Sequence, residues 1–100
     1  KKLYNIKTLY DAKLIEYLRI ELSNPTIIVF GSFAKGEDIE NSDIDLYISV
    51  EKSINLKKFE KKLGKTIQIF GHKRIKNISN PHLANNIING VILNGYIEVF

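Results

Sequence analysis

The sequence has no cysteine, no methionine and no tryptophan, and only two prolines among its 100 residues. Without cysteine it can build neither a disulfide framework nor a thiolate metal site. No apolar run approaches the roughly 20 residues of a membrane-spanning helix, and the Lys1-Lys2 start has no secretory-leader pattern. The chain therefore reads as cytoplasmic, with no membrane partner. With methionine absent, position 1 is not an untouched initiator, so a processed chain or a segment of a longer one is expected.

What is present suits one small soluble domain spanning residues 1–100. A hydrophobic fraction of 44% and a charged fraction of 26% are ordinary for a globular protein, and this length supports a single core without metal or disulfide staples. The formal charge of +4 hides an uneven layout. Glu37, Asp38, Glu40, Asp43, Asp45 and Glu51 crowd one stretch, whereas Lys57, Lys58, Lys61, Lys62 and Lys65 follow it. An acidic pole suits a cation and a basic remainder suits a polyanion, although lysines at helical spacing also simply solvate an exposed face.

Along the chain, Thr8-Leu9-Tyr10-Asp11 resembles a capping box, and Tyr10, Leu14, Tyr17, Leu18 and Leu22 recur at helical spacing. One amphipathic helix of about four turns is expected, ending before Ser23-Asn24-Pro25. Thr26 to Phe30 is a continuous β-branched and aromatic run, the pattern of a strand covered on both faces. A second strand is expected over Ile44 to Val50, then a helix capped by Ser53 or Asn55, with Leu56, Phe59 and Leu63 inward and Gly64 as its left-handed stop. Lys65 to Phe70 alternates like a third strand. Asn80-Pro81 opens a last short helix carrying Leu83, Ile87 and Ile88, and Asn94-Gly95 lies in an apolar tail that forms a hairpin or an edge strand. His72 and His82 have no partner at a metal-ligand spacing and read as surface or packing residues. This order specifies an α/β (α+β) domain in which a small mixed β-sheet is covered by helices.

The chemistry concentrates between Val29 and Ile48. Gly31-Ser32 falls where a strand hands over to a helix, leaving backbone N–H groups free for a phosphate, and the Ser32 hydroxyl adds a further donor. Side chains alternate along a strand, so Asp43 and Asp45 project to one side while Ile44, Leu46 and Ile48 face the core. Two like charges held this close repel and invite a divalent cation. Lys35 supplies a nearby countercharge and Ser42 a weaker polar contact. A plain helix cap and a solvated strand end explain either half alone; the pair together points to a phosphate site beside a cation site.

Gly31-Ser32, ten intervening residues and Asp43-Ile44-Asp45-Leu46 resemble the signature of the DNA polymerase β nucleotidyltransferase superfamily. The fuller wording, Gly31 to Glu37 followed by Asn41 to Leu46, is most similar to its minimal nucleotidyltransferases. The resemblance implies the nucleotidyltransferase fold, with Asp43 and Asp45 as catalytic metal ligands for Mg2+ or Mn2+, and Gly31, Ser32, Lys35 and Ser42 as nucleotide contacts. It implies transfer of a nucleoside monophosphate, most simply AMP from ATP, to a protein or small-molecule hydroxyl. It also implies an antitoxin role beside a helical HEPN-type partner, and a homodimer is compatible with it. Related archaeal chains carry the domain behind a winged-helix DNA-binding region, but this segment alone leaves no room for a long nucleic-acid channel. In the resembled family a third carboxylate sits on the next strand, where this chain offers Gln68. Glutamine neither takes a proton nor brings negative charge, so a second expectation stands: a weak or inactive module that binds a nucleotide or a partner. Glu37 and Glu51 are the candidate substitutes.

Overall fold

The computed structural model describes residues 1–97. Ten elements follow in order: α1 (Lys2–Asp11), α2 (Leu14–Glu21), β1 (Ile27–Phe30), α3 (Gly31–Lys35), β2 (Ile44–Ile48), α4 (Lys57–Leu63), β3 (Ile67–Gly71), a 3-10 turn (Ile75–Asn77), α5 (Pro81–Ile88) and β4 (Val91–Asn94). The four strands form one mixed sheet in the order β3-β2-β1-β4. β1 is antiparallel to both β2 and β4, whereas β2 and β3 run parallel. The expected small mixed sheet with helical cover is therefore the observed fold.

All four residues of β1 are buried, because a central strand has both faces covered. Ile27 and Val29 join Ile44, Leu46 and Ile48 of β2 against Leu14 and Leu18 of α2 and Phe59 of α4. On the opposite face Ile28, Phe30 and Tyr47 pack with Ile78 and with Ile87 of α5. The alternation that buries Ile44, Leu46 and Ile48 turns Asp45 to this second face with Phe30 and Tyr47, its smaller apolar cluster.

The N-terminal helix differs from expectation. Helical structure begins at Lys2, and Lys13, at φ +65°, divides it into α1 and α2. Thr8 does not cap it; its hydroxyl donates to Asn5 O at 2.6 Å. The reason lies in the apolar register: Leu9 is buried and Tyr10 is half exposed, so α1 and α2 present different stripes to one core, and a left-handed residue between them redirects the chain. Elsewhere local chemistry largely acts as expected. Gly64 closes α4 in the left-handed region, and Asn80 Oδ1 accepts from His82 N and Leu83 N to cap α5; the expected cap of α4 differs, because its N-cap is Leu56 without a side-chain cap bond, and Asn55, one residue earlier, instead accepts from Lys57 N through Oδ1. Val91–Asn94 is an edge strand, and the end of the expected hairpin, residues 98–100, lies outside the described residues.

Candidate active site

The candidate site forms where β1 ends and β2 begins. Phe30 pairs with Asp45 across the antiparallel ladder, so the residue after Phe30 is brought beside the Asp45 carboxylate. Gly31 adopts φ +79°, and a Cβ there would lie 2.7 Å from Asp45 Oδ2. Only glycine allows both this backbone turn and this close approach. The elbow opens directly into α3, whose first N–H groups have no partner one turn back. The glycine elbow with its unpaired helix-start N–H groups and the Asp45 carboxylate thus share one corner.

Asp45 is half-buried and Asp43 is exposed. Burial, and secondarily the Asp43 charge, push the Asp45 carboxyl above its ordinary range. Neither aspartate has a hydrogen-bond or lysine partner among the described residues; the lysines that form ion pairs choose Asp11, Glu16 and Asp38. Two adjacent carboxylates without a countercharge, one of them paying desolvation, are an electrostatic deficit that a bound cation removes. No group of three His, Cys, Asp or Glu suited to a metal occurs among the described residues. Magnesium is commonly held by one or two carboxylates with water and substrate phosphates completing an octahedron, so Asp43 and Asp45 fit one such ion.

The remaining expected residues divide. Gly31, Ser32 and Lys35 line a cleft of about 220 Å³, together with Lys2, Glu37, Asn86 of α5 and its C-cap Asn89. Asp45 flanks the elbow on its β2 side, and neither aspartate is part of that cleft wall. Ser42 lies in the preceding loop, where its hydroxyl accepts from Ile39 N and donates to Ile39 O, both at 2.8 Å, closing a turn. Gln68 is exposed and pairs in register with Asp45 across the parallel β2–β3 ladder, so the amide is the neighbour of the half-buried aspartate. Glu51 belongs to the other end of the sheet, by Gly71 and His72, which removes it as a substitute; Glu37 stays near the elbow. Sequence reasoning missed Asn86 and Asn89. Asn86 lies on α5 and Asn89 is its C-cap, but nothing local says that this end of the helix meets the elbow.

Residues 12–95 match the protein-family model described as Polymerase beta, Nucleotidyltransferase. The chain belongs to this nucleotidyltransferase family. No curated protein and no solved structure gives a match. Within the nucleotidyltransferase domain the matched region contains every element from α2 to β4, and therefore the elbow and both aspartates. Among the described residues no helix is long and apolar enough to cross a membrane.

Proposed function

We propose that this domain is a Mg2+- or Mn2+-dependent nucleotidyltransferase that moves a nucleoside monophosphate, AMP from ATP as first choice, to a hydroxyl of a protein or small molecule. The reading rests on one observation above the others: the unpaired Asp45 carboxylate lies against the Gly31 elbow. In the reaction the acceptor hydroxyl releases its proton to solvent as its oxygen bonds to the α-phosphorus, the bond from that phosphorus to the bridging oxygen breaks, and pyrophosphate leaves with the electron pair. Asp43 and Asp45 hold the metal, which when bound supplies Lewis-acid stabilisation of charge on the phosphates. The N–H groups after Gly31 and the Ser32 hydroxyl bind phosphate oxygens, and Lys35 balances their charge. Asn86 and Asn89 line the same cleft with amide donors. A protein acceptor would include a helical HEPN-type partner, for which the domain would serve as antitoxin.

A specific residue favours a second reading. Gln68 beside Asp45 accepts a hydrogen bond from an incoming hydroxyl but cannot remove its proton, so binding without efficient transfer is the alternative. Incubation with magnesium, each labelled nucleoside triphosphate in turn and a host lysate separates the two. Label on an acceptor, lost in Asp45→Asn, supports transfer. Nucleotide binding by calorimetry with no pyrophosphate release supports the alternative.

A further inference from the structure

Asp38 lies outside the candidate site, with its side chain only 3% exposed. Its carboxylate accepts from Asn5 Nδ2 at 2.7 Å and lies 3.3 Å from Lys1 Nζ and 3.4 Å from Lys65 Nζ. The Lys65 side chain is itself only 15% exposed. Its ammonium donates to Ile39 O at 3.0 Å, and to Glu40 O and Ser42 O at 3.4 Å each. A lysine withdrawn from water in this way is costly unless its charge and donors are matched, and here one acid and three loop carbonyls match them.

The arrangement has a direction. The Ser42 carbonyl belongs to the peptide group that leads into Asp43, and it is tied to Lys65. On the other side of Asp43, Ile44 N donates to Thr66 O at 2.8 Å. The two peptide groups that flank Asp43 are therefore fastened to two consecutive residues just before β3, one through a side chain and one through the backbone. Asp43 precedes β2 and has no side-chain partner among the described residues, so these two ties fix the backbone on either side of it.

We propose that Lys65 is a positioning residue for Asp43: its ammonium, held by Asp38, fixes the acidic loop so that both aspartates present to one divalent cation. The proposal rests on the reading of Asp43 and Asp45 as metal ligands. Residues that support a metal ligand from behind typically govern about 10–100-fold in metal affinity.

The test is Mn2+ binding to the whole chain, followed by the electron paramagnetic resonance signal of free Mn2+, well below each variant's unfolding midpoint. Lys65→Met is expected to weaken binding about 10-fold, and Lys65→Arg, which keeps the charge, to recover part of the loss. Asp38→Asn, which keeps Lys65 but removes the charge that holds it, should move affinity in the same direction by less, and it decides the matter if Lys65→Met does not fold. Asp43→Asn is the reference. Loss of Mn2+ in Asp43→Asn with parental affinity in folded Lys65→Met, or in Asp38→Asn where Lys65→Met does not fold, overturns the positioning role alone. Parental affinity in Asp43→Asn overturns the metal reading and this proposal with it.

Discussion

Gly31 and Asp45 touch: the place a β-carbon on the glycine would occupy is 2.7 Å from Asp45 Oδ2. Gly31→Ala must therefore both adopt a left-handed backbone and push the carboxylate aside. A loss of about 1–2 kcal/mol of stability is expected from the backbone alone. Nucleotide affinity should fall further than stability accounts for. Thermal unfolding and a calorimetric titration with ATP and magnesium measure the two separately, and unchanged affinity in the folded variant would mean that the elbow does not hold the phosphates.

Asp45→Asn should trade function for stability. Because burial and the Asp43 charge raise the carboxyl's pKa, the folded protein holds this proton more firmly than the unfolded chain does. The group's contribution is thus fully present below the ordinary carboxylate range and is lost as pH rises through the raised folded value. At pH 7 the amide removes a destabilising charge, so the metal-free variant should melt a few degrees higher than the parent while Mn2+ binding collapses. A lower melting temperature would contradict this.

Asp38 should behave in the opposite sense. Burial pushes its carboxyl up, but hydrogen bonds from Asn5 and Lys1 outweigh burial and hold the pKa below the usual range. The stability it contributes is present above the ordinary value and is lost as pH falls through the depressed folded value. Asn5→Ala removes the 2.7 Å bond and should cost about 1.5–3 kcal/mol at pH 7, the range for hydrogen bonds to a charged group. The difference from the parent should shrink in strong acid, as denaturant titrations at pH 7 and pH 2.5 would show.

Asn86 and Asn89 line the same cleft as Gly31, Ser32 and Lys35. If the cleft takes the phosphate tail, Asn86→Ala with Asn89→Ala should weaken ATP several-fold and AMP little. Equal losses for the two nucleotides would place the tail elsewhere.

Gln68→Asp restores a carboxylate beside Asp45 and should raise any transfer rate and Mn2+ affinity, while pushing the Asp45 carboxyl up further in the metal-free protein. Single-turnover assays with labelled ATP give the rate, and an unchanged rate would mean that the missing acid is not what limits transfer.

Much of this was legible before any coordinates. The Asn80-Pro81 cap, the Gly64 stop, the fully apolar β1 and the opposite facing of Asp45 and Leu46 all depend on interactions within one turn or one strand, and they appear as expected. The misplaced helix start at Thr8 has the same origin seen from the other side. A locally adequate cap signal lost to a core that needed Leu9 inward and a break at Lys13.

The sequence by itself determined the family, through the Gly-Ser and Asp-x-Asp pair at its spacing, and the alternation that turns Asp45 away from the face of Ile44, Leu46 and Ile48. Only the tertiary structure decided that the Phe30–Asp45 pairing seats a carboxylate on the elbow, that Gln68 flanks it, that Glu51 lies at the far end, and that Lys65 reaches back into the acidic loop. The physical reason is that strand register, burial and charge pairing are set by which surfaces meet across the whole chain. A polar loop between Gly36 and Ser42 carries no local signal of where its ends will be brought together.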